Sequence, residues 1–219
     1  MGNRESAYRG IVERIASASD ERQGGPVAVR LVAVSKRQPV EAIRALAELG
    51  QRDFGENYLQ EALDKQPDLA DLPLTWHFIG PIQSNKTRSI AAHFDWVHSV
   101  DRVKIARRLG EQRDPALGPL KVLVQVNVDG ETSKSGAEPV DVPAIVAACA
   151  ECPTLELRGL MCIPRPGNTA AFEQLAALNR SLAEPLPDLS MGMSGDFEAA
   201  IAAGATIVRV GTALFGPRE

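Results

Sequence analysis

Arg30-Leu-Val-Ala-Val-Ser-Lys-Arg-Gln-Pro-Val-Glu-Ala-Ile-Arg-Ala-Leu-Ala-Glu-Leu-Gly50 spells out one complete strand–helix unit. Arg30 to Ser35 is a nearly continuous apolar run, the pattern of a strand buried on both faces of a parallel sheet. Pro39 to Leu49 then sets Val40, Ile43, Leu46 and Ala47 at helical spacing, and Gly50 supplies a C-terminal stop. Upstream, residues 1–23 form a charged, amphipathic leader helix with Ile11, Ile15 and Ala18 on one face. Gly24-Gly25-Pro26 breaks it off from the first strand.

The unit recurs along the chain. Strands are expected at Arg52–Gly55, Leu74–Gly80, Trp96–Val100, Lys121–Val128, Leu155–Ile163, Leu189–Met193 and Thr206–Val210. Helices alternate with them: Asn57–Lys65, Asn85–His93, one capped by Asp101 and closed by Gly110, Val142–Ala150, one opened by Thr169, and one capped by Ser194 and stopped by Gly204. This makes eight strand–helix units after the leader, the last with a curtailed helix. Strands alternating with helices imply right-handed crossovers and a parallel sheet, hence the α/β class. Eight units suggest a (β/α)8 barrel of TIM type with an extra N-terminal helix, at a length close to the lower bound for that fold. An open doubly wound sheet would follow if one strand were miscounted. No linker or low-complexity run divides the chain, so residues 1–219 are expected to form a single domain.

The chain is 44% hydrophobic and 24% charged, with a net charge of -4 and a pI of about 5.5. Such a balance gives no reason to expect nucleic acid or an anionic membrane as a partner. A local phosphate pocket remains compatible with it, since a few backbone amides and one arginine suffice. Three cysteines without framework spacing suit a reducing compartment. Cys149 and Cys152 form a C-x-x-C near a helix C-terminus. A redox thiol usually sits at a helix N-terminus, where the dipole lowers its pKa, so packing is the better role for this pair. The N-terminus has no apolar leader and no stretch is long enough to span a membrane, so the expected location is the cytoplasm.

In a barrel, ligands gather at the C-terminal ends of the strands. Lys36 stands there, directly after the first strand. Apolar walls would favour its neutral amine, the form that attacks an aldehyde to give an imine. Position alone, however, favours an ordinary solvated lysine. The last two strands are more telling. Ser190-Met-Gly-Met-Ser194-Gly and Arg209-Val-Gly-Thr212 place Gly and Ser/Thr where barrels often bind phosphate after strands seven and eight. Glycines let the backbone approach the anion. Other strand-end candidates are Asn57, His77, Gln83-Ser84-Asn85-Lys86 and Lys134. The three histidines lack the spacing and acidic company of a zinc site, so no metal is expected.

Seven segments in order carry a more specific signal: Ala33-Val-Ser-Lys36, Phe54-Gly-Glu-Asn57, Trp76-His-Phe-Ile-Gly-Pro-Ile-Gln-Ser-Asn-Lys86, Ser133-Lys-Ser-Gly136, Leu157-Arg-Gly-Leu-Met161, Ser190-Met-Gly-Met-Ser194 and Val208-Arg-Val-Gly-Thr-Ala-Leu-Phe-Gly216. Together they resemble the pyridoxal phosphate homeostasis proteins along almost the whole chain. The resemblance implies a barrel like the N-terminal domain of alanine racemase, with pyridoxal 5'-phosphate bound through an imine to Lys36. It implies further that Ser194 and the Gly211 and Thr212 amides hold the phosphate, that Arg209 faces the pyridine nitrogen, and that Asn57 lines the ring.

The resemblance implies a non-catalytic carrier and regulator of pyridoxal phosphate and vitamin B6, with no catalytic residue assigned. An arginine at the ring nitrogen keeps that nitrogen unprotonated and the electron sink weak. The racemases that the barrel resembles take a second base, a tyrosine, from a further C-terminal β domain. The sequence stops soon after the eighth strand, and Tyr8 and Tyr58 are no obvious substitutes. Apo-enzymes that depend on the cofactor are the partners implied, and a barrel without a dimerising domain suggests a monomer. Two other readings stay open: a weak racemase or lyase of unknown substrate, and a phosphosugar-binding barrel without an imine.

Overall fold

The computed structural model of the protein describes residues 2–22, 25, 28–130 and 135–216, with side chains from residue 4 onward. In chain order the elements are α1 (Gly2–Asp20), β1 (Arg30–Val34), α2 (Val40–Glu48), β2 (Asp53–Glu56), α3 (Leu59–Lys65), β3 (Thr75–Phe78), α4 (Thr87–His93), β4 (Trp96–Val100), α5 (Val103–Gln112), β5 (Leu120–Gln125), α6 (Val142–Ala150), β6 (Leu155–Met161), α7 (Ala170–Ser181), β7 (Asp188–Ser190), α8 (Phe197–Ala202), β8 (Ile207–Val210) and α9 (Thr212–Phe215). Each strand pairs in parallel with the next. β8 returns to β1 with Arg30 opposite Ile207 and Ala33 opposite Val210. That last pairing closes the barrel and rules out the open sheet.

Side chains alternate across each strand, so every strand has an outward and an inward row. The outward row meets the helices in one large apolar core: Ala33, Phe54, Val97 and Leu160 from strands, Ile43, Leu46, Ile105, Phe172 and Phe197 from helices. Inside the barrel, Val32, Trp96, Leu123, Met161 and Ile207 form a separate small cluster. Two parallel neighbours can lie this close only where side chains permit. At Gly159 a Cβ would fall 1.7 Å from the Asp188 carbonyl oxygen, so only glycine lets β6 run beside β7 there.

Four details differ from the sequence expectation. Asp101 does not cap α5; Arg102 is the residue before the helix, and its guanidinium donates to the Asp101 carboxylate at 2.6 Å. Gly110 does not close α5, which continues to Gln112; a Cβ at Gly110 would meet Cys152 at 2.6 Å, so its role is helix packing. Ser194 does not cap α8. The preceding residue is Asp196, whose carboxylate turns back to accept from the Met193 amide at 2.6 Å. Finally, several strands are shorter than expected: β3 ends at Phe78, β5 at Gln125, β6 at Met161 and β7 at Ser190. Beyond Gln125 the backbone pairs with Ala137, whose amide donates to the Gln125 carbonyl and whose carbonyl accepts from the Asn127 amide. The Cys149 thiol is buried and pushed up by desolvation to about 12, which fits a packing side chain rather than redox chemistry.

Candidate cofactor site

Parallel strands all end on one rim, and the six residues singled out from the sequence lie at or near it on four adjacent strands. Lys36 follows β1 by two residues and is half-buried. Asn57 follows β2 directly and is also half-buried. Arg209 sits in β8 itself, only 3% exposed. Gly211 and Thr212 form the junction between β8 and α9, and Ser194 lies in the loop after β7.

Local contacts tie these pieces into one surface. The Ala213 amide donates to Ser194 Oγ at 3.4 Å, joining the loop after β7 to the start of α9. The Arg209 amide donates to the Gly192 carbonyl at 3.0 Å. A Cβ at Gly211 would lie 3.3 Å from both Val34 Cβ and the Val34 carbonyl oxygen, so glycine keeps the start of α9 against the end of β1. Similarly, a Cβ at Gly80 would fall 2.1 Å from the Asn57 carbonyl oxygen; the absence of a side chain there seats Asn57 at the rim. The Asn57 Oδ1 atom is buried and has no hydrogen-bond partner among the described residues. Buried polar atoms are normally satisfied, which leaves this one able to accept from a ligand group.

Behind the rim, on the outer side of β1 and β2, lies a compact charged group. Glu56 is wholly buried; its Oε1 accepts from Ser35 Oγ at 2.7 Å and from Lys65 Nζ at 3.0 Å. Lys65 also donates to the Ser35 carbonyl and to Glu61 at 2.5 Å. Desolvation pushes the Glu56 carboxyl above its ordinary range, although the Lys65 cation and the Ser35 hydroxyl pull the other way. Ser35 and Lys36 are consecutive, so this group fixes the backbone that presents the lysine.

Below the rim, a polar chain fills the middle of the barrel. Arg209 donates through Nη1 to Ser190 Oγ at 2.6 Å and through Nη2 to the Cys162 carbonyl at 2.8 Å. Ser190 Oγ lies 2.9 Å from His98 Nδ1, His98 Nε2 2.9 Å from His77 Nδ1, and His77 Nε2 2.9 Å from Asp53 Oδ1. Arg30 closes the series on Asp53 at 2.6 Å. His77 was a strand-end candidate in the sequence; the structure places it inside the barrel, stacked on Trp96 with ring centroids 5.5 Å apart. Burial lowers the pKa of both histidines, that of His98 well below the usual value, and lowers Arg209 to about 10. Sequence reasoning missed this chain, yet a signal existed: Asp53, His77, His98, Ser190 and Arg209 occupy inward positions in otherwise apolar strands.

Of the remaining candidates, Lys86 is exposed in a helical turn before α4, away from the polar chain. Ser133 and Lys134 lie outside the described residues. Tyr58 is exposed, with the Arg37 guanidinium 5.8 Å from its ring centroid. No described helix is long and apolar enough to cross a membrane.

A closed barrel with this rim places the chain among the barrels of the alanine racemase type. Residues 15–219 match the family model for the alanine racemase N-terminal domain. The alanine racemase of Corynebacterium glutamicum shares the fold at a TM-score of 0.71 and 17% identity, with 98% of this chain aligned to 61% of that one. Much nearer is a Pseudomonas aeruginosa protein named pyridoxal phosphate homeostasis protein, 58% identical over 214 residues and covering 95% of this chain and 93% of its own. The Escherichia coli K12 protein of the same name is 48% identical over 220 residues, covering 95% and 94%. The structure of PipY from Synechococcus elongatus, solved with pyridoxal phosphate bound, aligns at a TM-score of 0.80 and 41% identity over 94% of this chain and all of that one. The chain belongs to the family of pyridoxal phosphate homeostasis proteins.

Proposed function

We propose that this chain is a cytoplasmic, single-domain carrier of pyridoxal 5'-phosphate, attached covalently at Lys36, that serves the homeostasis of the cofactor and of vitamin B6. The observation that carries the reading is the convergence of Lys36, Asn57, Ser194, Arg209, Gly211 and Thr212 on one rim, with a buried Asn57 Oδ1 that lacks a partner among the described residues. Bound there, the cofactor supplies an aldehyde that an amine captures reversibly and a ring able to accept electrons. Lys36 holds the aldehyde carbon. Ser194 and the amides of Gly211 and Thr212 hold the phosphate, where glycine allows close approach and the start of α9 directs N–H groups outward. Asn57 lines the ring, and Arg209 presents a cation to the ring nitrogen.

A cation at that position disfavours a protonated ring nitrogen, so the ring is a weak sink and the protein stores rather than transforms. Reversible attachment suits transfer to apo-enzymes that use the cofactor, and a monomer leaves the rim open to them. Borohydride reduction followed by peptide mass spectrometry tests the reading: the cofactor mass should appear on the peptide containing Lys36 and vanish in Lys36→Ala. Label on another lysine, or on none, would overturn the assignment. Incubation with L-amino acids in deuterated water should give no catalytic α-proton exchange. Sustained exchange would replace the carrier by a weak racemase or lyase.

A further inference from the structure

The hydrogen bonds from Arg209 to Asp53 admit only one arrangement of protons. Burial penalises the charge on Asp53, but the His77 hydrogen bond and Arg30 outweigh it and hold the carboxyl below its usual range, so this group only accepts. His77 Nε2 therefore carries a proton, and the buried, neutral ring must accept at Nδ1. That acceptor faces His98 Nε2, which must donate; His98, also buried and neutral, then accepts at Nδ1. Ser190 Oγ is the group facing His98 Nδ1, so its hydroxyl donates there and its lone pairs take the Arg209 Nη1 hydrogen. In the opposite order, the His77 Nε2 lone pair would face a carboxylate oxygen at 2.9 Å. All donors thus point one way, from the cation at the rim to the anion at the other end of the barrel.

We infer that Asp53, His77, His98 and Ser190 form a one-way hydrogen-bond relay that positions Arg209, so that the opposite face of the barrel fixes the guanidinium presented to the cofactor. This inference rests on the role of Arg209 proposed above. His77, His98 and Ser190 are each fully buried, so water does not compete for these bonds. Trp96 holds the relay from the side: its ring stacks on His77 and lies 6.1 Å, centroid to centroid, from His98. Arg30 anchors the far end by binding Asp53 and lying over the same indole at 5.4 Å. None of the four is a catalytic residue; each acts through the next, and Ser190 acts on Arg209 directly.

Nitrogen-15 NMR of the histidine-labelled, cofactor-free protein reads the relay without any substitution. Both His77 and His98 should be neutral near pH 7, each protonated at Nε2 and bare at Nδ1. A proton at Nδ1 of either ring would overturn the relay. In Asp53→Ala the anchor is gone, and His98 should lose its single tautomer; an unchanged His98 would break the continuity claimed. In the cofactor-loaded protein, Asp53→Ala should shift the absorbance band of the bound cofactor while Lys36 remains the labelled lysine. An unmoved band would overturn the positioning of Arg209. The two readings fail separately: loss of labelling at Lys36 strikes the cofactor reading, whereas wrong tautomers in a protein still labelled there strike the relay alone.

Discussion

Between the strands and the helices, Phe54, Phe172, Phe197, Ile105 and Leu109 are completely buried apolar side chains among many others. Inside the barrel, apolar contact narrows to Val32, Trp96, Leu123, Met161 and Ile207, and the remaining space holds the chain from Asp53 to Arg209. The outer layer works through non-directional burial, which tolerates neighbours of similar volume. The inner layer works through directional bonds at low dielectric, which tolerate almost no change of partner. Stability is thus concentrated outside the barrel, and the orientation of the Arg209 guanidinium is set within it.

The largest effect should come from the outer layer. Phe172→Ala empties a fully buried site on α7 and should cost about 3–5 kcal/mol, read from the midpoint of urea denaturation. The comparison sharpens if the cofactor attachment proposed at Lys36 survives in whatever fraction stays folded. A cost under about 1 kcal/mol would mean that the outer layer collapses around the cavity and matters less than argued.

Ser190→Ala should cost less and disturb more. It removes the acceptor of Arg209 Nη1 and the donor to His98 Nδ1, leaving buried groups unpaired at a cost of about 1–3 kcal/mol. The readouts are denaturation and the absorbance of the loaded protein. A shifted band at moderate cost in stability would separate the layers. Loss of stability as large as that of Phe172→Ala, with an unmoved band, would erase the distinction between them.

The outer layer was legible in the sequence because its signal is periodic. Val40, Ile43, Leu46 and Ala47 predicted the buried face of α2, and of these only Val40 is less than fully buried. Trp96–Val100 and Val142–Ala150 were predicted to the residue. Lys36, Asn57, Ser194, Arg209, Gly211 and Thr212 were singled out by motif, and placement at the ends of neighbouring strands explains why they share one rim. Of the inner chain only polar residues at inward strand positions were legible; their connection was not, since its hydrogen bonds link β2, β3, β4, β7 and β8 across the barrel. Cap assignments at Asp101 and Ser194 failed because each side chain found another partner in place of its own helix: Asp101 accepts from the neighbouring Arg102 guanidinium, and Ser194 from the distant Ala213 amide.

Acid should weaken the inner layer selectively. Burial lowers the pKa of His77 and His98, so the unfolded chain binds protons below about pH 6.5 that the folded state does not. Their contribution is fully present above that value and lost as the pH falls toward the depressed folded values. The slope is at most about 1.4 kcal/mol per pH unit for each histidine. Glu56 acts in the opposite sense: its raised carboxyl pKa favours the folded state as pH falls toward the ordinary carboxylate value. Denaturation of Glu56→Gln between about pH 8 and pH 5 therefore isolates the histidines, and stability should drop on acidification. A flat profile would show that the two rings are not held neutral.

The smallest effect should belong to a polar pair outside both layers. Arg14 on α1 donates through Nε to Glu198 on α8 at 2.7 Å and lies 4.6 Å from the Phe197 ring centroid, with both charged side chains about half exposed. Water competes for such a pair and salt screens it, so Arg14→Ala should cost no more than about 1 kcal/mol. Arg14→Met keeps the packing of the stem on Phe197 and should recover much of even that loss. The contrast with Ser190→Ala is the sharpest form of the comparison, because both changes delete hydrogen bonds to an arginine or a carboxylate. If Arg14→Ala cost as much as Ser190→Ala in the same denaturant series, burial would not be what gives the inner chain its weight, and the directional argument for the barrel interior would fall with it.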